Sequence, residues 1–171
     1  TGYELEVNPS QNIITFLAGD DNFARGELVP TDDWMHVAVV FQDTVATIYV
    51  NGVDATFDYN INPVSSDEVP LWIGNLTGSA DDPEGGAFNG HIDEIGILDI
   101  ALTGDEVRNI IANGFEINSN VAAYWDFGSG SGVQLVDQSS NANNGAITGA
   151  AWAIDSPNQS PMDENSFSQL C

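Results

Sequence analysis

Short runs in which apolar and polar residues alternate, each bounded by turn residues, make up most of the chain. Tyr3 to Val7 alternates, Asn8-Pro9-Ser10 turns, and Ile13 to Leu17 runs back, the period-two pattern of half-buried strands. Met35 to Phe41 and Val45 to Val50 are rich in valine and aromatics, which suit a pleated surface. Asn51-Gly52 follows directly and predicts a two-residue hairpin into Val53–Phe57, because a type I′ turn needs positive φ at both central positions. Further strands are predicted at Leu71–Gly74, His91–Leu98, Val121–Phe127 and Gly145–Trp152, with an acidic, glycine-rich loop over 75–90. One segment breaks the period. Thr103 and Glu106 form a capping-box pair, Val107, Ile110 and Ile111 give one apolar stripe, and Gly114 follows as a stop signal. This predicts a single short α-helix at about residues 104–113. Many short strands with one helix predict an all-β, antiparallel β-sandwich over residues 1–154. Residues 155–171 are Ser, Asn, Gln, Pro and acidic residues, which read as a linker or flexible tail.

Charge narrows the partners. The chain carries 26 Asp and Glu against 2 Lys and Arg, a net charge of −24. Such a surface repels nucleic-acid phosphates and anionic lipid and draws cations. It suits a saline or calcium-rich exterior, so a secreted or cell-surface location is expected. No apolar run approaches the roughly 18 residues of a membrane span. The one cysteine, Cys171, leaves no internal disulfide possible. His36 and His91 are the only histidines, and both are expected to be structural, with satisfied hydrogen bonds. The sequence holds no H-E-x-x-H, no G-x-S-x-G, no phosphate loop and no cysteine nucleophile, so a non-enzymatic role is expected.

Five segments carry a family likeness. They are Trp34 to Phe41, Ile48 to Gly52, Leu71 to Asn75, Phe88 to Ile95 and Ala101 to Val107. In order and in register, they resemble the laminin-G-like and pentraxin-like domains of the concanavalin A-like superfamily, whose fold is a jelly roll. The ends depart from that pattern. Members open with a stretch similar to Tyr124 to Gly132 followed by Val136 to Asn141, which here comes last. A piece of a longer protein, a permuted domain, and a neighbouring chain supplying the missing strands would each account for the order.

The resemblance implies calcium. In similar domains an aspartate on the closing strand binds the ion together with backbone oxygens of the opening strand. Asp93 matches the former, and Asp126 and Gly128 match the latter. It also makes Asp81, Asp82 and Glu84 candidates for a second metal or ligand loop, although that stretch equally reads as a solvated hairpin tip. Asp20-Asp21-Asn22 is a third acidic turn, read as solvated. Trp34, Trp72 and Trp125 fall at family core positions and are expected to be buried, whereas Phe23 and Tyr59 read as loop aromatics open to contact. Glycosidases of the superfamily space three carboxylates along one strand. No such triplet occurs here, and adjacent Asp93 and Glu94 are expected on opposite faces. The expected function is a calcium-dependent module binding a glycan or an extracellular protein. An accessory domain of a secreted carbohydrate-active enzyme and a strand-exchanged structural subunit are the alternatives.

Overall fold

The computed structural model describes residues 3–8, 10–18, 22–28, 33–60, 70–75 and 86–153. Asp81, Asp82, Glu84 and the 155–171 segment lie outside these described residues. Strands β1 (Tyr3–Asn8), β2 (Ile13–Ala18) and β3 (Phe23–Glu27) form an antiparallel meander, and β7 (Thr56–Asn60) joins the far side of β3. Register sorts their side chains. Val7, Ile14, Gly26 and Thr56 lie in one cross-strand row, while Glu6, Thr15, Arg25 and Asp58 lie in a neighbouring row on the other face. The first face is the inner one: Ile14, Ala18, Ala24 and Leu28 are buried there. Opposite them stands a second antiparallel sheet of β4 (Val37–Gln42), β5 (Val45–Val50) and β6 (Val53–Asp54). Ala46 and Ile48 of β5 complete the core, with Val37, Val39 and Phe41 of β4 packed against it. The two layers meet at Gly26, where a Cβ would lie 2.9 Å from Ile48 Cγ2. The predicted sandwich is present.

The chain changes layers at Ala55. Asn51 and Gly52 take φ of 49° and 76°, the positive values expected of the hairpin turn. Only Val53–Asp54 then pairs with β5. Ala55 donates to Ile48 O at 2.9 Å and accepts from Glu27 N at 3.0 Å, so one residue is shared by both sheets. Thr56 Oγ1 accepts from Ile48 N at 2.8 Å, and the chain continues as β7 in the opposite layer. The sequence pattern over Val53–Phe57 predicts one unbroken strand. Here the sheet switch divides it.

The helix α1 (Gly104–Asn113) matches its prediction, and both arms of the capping box are made at Thr103 and Glu106. Val107 is buried, and Arg108 Nη1 donates to Gly52 O at 3.0 Å, fixing the helix to the hairpin tip. Thr103→Ala removes the cap and should lower stability by about 1 kcal/mol, read as a shift in the urea midpoint.

His36 departs from expectation. Its backbone exchanges hydrogen bonds with Asn51, N to Oδ1 at 2.9 Å and O from N at 2.8 Å. Its Nδ1, however, is buried with no hydrogen-bond partner among the described residues. Burial lowers its pKa from the usual 6.5, because a charged ring would be desolvated. A folded-state pKa below the unfolded one means that stability is full above 6.5 and falls as pH drops below it. His36→Leu should flatten the pH dependence of the thermal midpoint across that window.

The remaining strands form two further two-stranded sheets. β8 (Ile95–Leu98) pairs antiparallel with β9 (Val121–Trp125), and β10 (Gln134–Leu135) with β11 (Gly145–Ala146). Ala123, Trp125 and Leu135 form a second core, with Ile95, Phe127, Ile147 and Trp152 packed around it. Leu71–Gly74 forms no strand, and the strands predicted over His91–Leu98 and Gly145–Trp152 are much shorter than their apolar runs.

Candidate functional site

The pairing of β8 with β9 defines the site. Ile95 faces Trp125, Gly96 faces Tyr124 and Ile97 faces Ala123. The residues just beyond the paired ends therefore meet: Asp93 and Glu94 enter β8 where Asp126 to Gly128 leave β9. Glu94 and Phe127 both take left-handed backbone, with φ of 52° and 51°, which ends the strand geometry on each side. Asp93 Oδ1 accepts from Glu94 N at 3.0 Å, and Asp126 Oδ1 accepts from Gly128 N at 3.0 Å. Each aspartate thus caps its own turn.

Tyr124 reports how these carboxylates are grouped. Its ring is 8% exposed and stacks on Phe115 with centroids 4.5 Å apart. Phe115 fits because residue 96 is glycine: a Cβ there would lie 2.5 Å from Phe115 Cε2. Burial, then the charges of Glu94, Asp126 and Asp93, and finally a hydrogen bond with Glu94, push the Tyr124 phenol up to about 12. Three carboxylates act on one phenol. The alternation that would send Asp93 and Glu94 to opposite faces does not apply, since both precede β8 and Glu94 is left-handed. The structure therefore brings Asp93, Asp126 and Gly128 together at one end of the β8–β9 pair.

These donors are hard oxygens, which fit calcium in kind. Among the described residues no three His, Cys, Asp or Glu side chains form a metal cage. An ion here would rest on Asp93 and Asp126 and take its other ligands from backbone oxygens and water.

Asp137 is a residue that sequence reasoning passed over. It is 6% exposed. Its Oδ1 accepts from the Tyr124 and Ser139 amides, both at 2.9 Å, and its Oδ2 from Ser139 Oγ at 2.8 Å and the Asn143 amide at 2.7 Å. Burial alone would raise its pKa; the hydrogen bonds from Tyr124, Ser139 and Asn143 outweigh that and bring it down to about 2. Asn141 and Asn143 then donate to Ala122 O at 2.9 and 3.0 Å. This loop covers the edge of β9 that β8 leaves open, and so holds Tyr124 and Asp126 in place. The signal was the alternation Asp137-x-Ser139-x-Asn141-x-Asn143 directly after a strand, side chains that bond nearby backbone.

The tryptophans divide. Trp125 is 5% exposed, with Nε1 donating to Asn143 O at 3.0 Å. Trp34 is half-buried against His91, their rings 6.1 Å apart. Trp72 is 56% exposed, against expectation, because Leu71–Gly74 joins no sheet among the described residues. Phe23 and Tyr59 lie in strands β3 and β7 and not in loops; Tyr59 is exposed, while Phe23 lies under the Arg25 guanidinium at 4.2 Å.

Comparison with known proteins gives two findings. Residues 1–108 match a laminin-G-like family model of the concanavalin A-like lectin/glucanases superfamily. That span includes Asp93 and ends before Asp126. Among solved structures, the chain is similar to an S-layer domain-containing protein from Clostridium thermocellum at 20% identity and a TM-score of 0.38. The likeness covers 64% of this chain and 63% of that one, slightly less than two thirds of its length. No curated protein matches. Among the described residues, no helix is long and apolar enough to cross a membrane.

Proposed function

Since the chain belongs to the concanavalin A-like lectin/glucanases superfamily, we propose that it is an extracellular, non-catalytic binding module stabilised by calcium, recognising a glycan or a protein. The observation that carries this reading is the β8–β9 register, in which Ile95 pairs with Trp125 and so sets Asp93 and Glu94 beside Asp126 at one end of the strand pair. Like charges gathered at a strand end repel one another, and a divalent cation relieves that repulsion while tying β8 to β9. Asp93 and Asp126 hold the ion, and Gly128 shapes the turn that presents Asp126. The pinned strand pair then supports the loops that meet the ligand. Completion of the sheet by a strand from another chain is disfavoured at β9, whose second edge is taken by the Asp137 loop.

Thermal melting in calcium and in chelator tests the proposal. A ligand at about 100 times its Kd stabilises the native state by about 2.7 kcal/mol, so chelation should lower the melting temperature by several degrees. Asp93→Asn and Asp126→Asn should each abolish most of that difference. An equal shift with sodium at matched ionic strength, or a wild-type midpoint indifferent to chelation, would sink it.

A further inference from the structure

We propose that Asn89-Gly90 is a site of spontaneous covalent modification, at which the asparagine converts to aspartate and isoaspartate without an enzyme. The pair lies in the segment that leads into β8, and its chemistry is independent of whether calcium binds there.

Asparagine is followed by glycine at four places in the chain, Asn51, Asn89, Asn113 and Asn144. Glycine favours the reaction, because no side chain on it crowds the approach of its amide nitrogen to the asparagine Cγ. Three of the four pairs are held out of reaction by the fold. Asn51 Oδ1 accepts from His36 N at 2.9 Å, and Gly52 is buried against Arg108 and Ile111. Asn113 Nδ2 donates to Asn109 Oδ1 at 2.7 Å, and the Gly114 amide is committed to Ile110 O at 2.8 Å. Asn144 Oδ1 accepts from Asp137 N at 2.9 Å, and Gly145 pairs with Leu135 in a strand. Asn89 is different. It and Gly90 are exposed, lie outside any helix or strand, and make no hydrogen bond among the described residues. The Asn89 carboxamide is therefore free to turn onto the next amide. Phe88 keeps that next residue a glycine, since a Cβ on Gly90 would lie 2.8 Å from Phe88 Cε1.

Water and hydroxide are the only co-reactants, and nothing is oxidised or reduced. The Gly90 amide gives its proton to hydroxide, and its nitrogen attacks Asn89 Cγ. The new C–N bond closes a succinimide ring as the Cγ–Nδ2 bond breaks, and the departing nitrogen takes a proton from water and leaves as ammonia. Water then opens the ring. Attack at Cγ restores the original backbone with an aspartate side chain. Attack at the main-chain carbonyl carbon leaves the backbone running through Cγ, as isoaspartate. Either product adds one negative charge to a chain at −24. Isoaspartate also inserts one backbone carbon between two anchored residues. Phe88 N donates to Gly74 O at 2.8 Å on one side, and the His91 ring lies 6.1 Å from Trp34 on the other.

Incubation of the whole chain at mildly alkaline pH, native and in urea, with peptide mapping by electron-transfer mass spectrometry, tests the inference. In the native chain, position 89 should convert at least tenfold faster than positions 51, 113 and 144, which react only when the fold opens locally. In urea the four rates should come together, because the reacting pair is the same and the folded contacts are gone. Asn89→Gln, a substitution at an exposed position, should remove most of the native modification while the other three sites react as before. Native rates at position 89 within twofold of the other three would overturn the inference. So would a position 89 that stays intact in the native chain while the unfolded chain reacts, or an order of rates that urea does not change.

Discussion

Asp137→Ala should destabilise the protein by roughly 3 kcal/mol or more, the largest loss expected from any polar substitution in it. The carboxylate accepts from three backbone amides and one hydroxyl. Deleting it leaves the Tyr124, Ser139 and Asn143 amides to find other partners, at about 1–3 kcal/mol for each that stays buried and unmade. Urea unfolding followed by the fluorescence of Trp125, whose Nε1 bonds the same loop, measures this. Asp137→Asn keeps one acceptor and should lose less. The acid limb of the stability profile reports the same bonds. With a folded pKa of about 2 against an ordinary 3.8, the contribution of Asp137 is full above 3.8 and is lost as pH falls through that window towards 2. Wild type should lose stability there, and Asp137→Ala should show a shallower slope.

Ile48→Ala should cost 2–5 kcal/mol, the range for truncating a large buried aliphatic side chain. Ile48 is fully buried and stands where the layers touch, above Gly26. The same contact makes Gly26→Ala destabilising, because its Cβ would sit 2.9 Å from Ile48 Cγ2, closer than packed carbons tolerate. In the double variant the new methyl occupies part of the space that Ile48 vacates. The double variant should therefore lose less than the two single losses added together, a coupling that a double-mutant cycle measures directly. Strict additivity would show that the two layers do not meet through this pair.

Much of the fold could be read from the chain because local rules and long-range packing agree there. The capping box at Thr103 and Glu106, the Asn51-Gly52 turn and the strands β1, β2, β4 and β5 are all present where they were expected. Prediction was weaker wherever a tertiary event overrides a local pattern. Val53–Phe57 reads as one strand, yet the switch at Ala55 sends its halves to different sheets. The apolar run at Leu71–Gly74 reads as buried, yet burial needs neighbours that no periodicity encodes, and Trp72 is exposed. Within the site, Asp93 and Asp126 could be named from the family likeness, but their meeting depends on the β8–β9 register. The left-handed turn at Glu94, which defeats simple strand alternation, has no signature in the sequence. Asp137 was hidden among many acidic residues, since what distinguishes it is the number of amides that aim at it.

The proposed calcium site lies at one end of the β8–β9 pair. Titrating the ¹⁵N-labelled chain with calcium and following its amide resonances puts the question to each residue separately. Saturable changes confined to residues 93–95 and 124–128, and lost in Asp93→Asn, are the predicted result. Small, unsaturated changes spread across the acidic surface, reaching Asp54, Asp58 and Asp105 as strongly as Asp93, would contradict it.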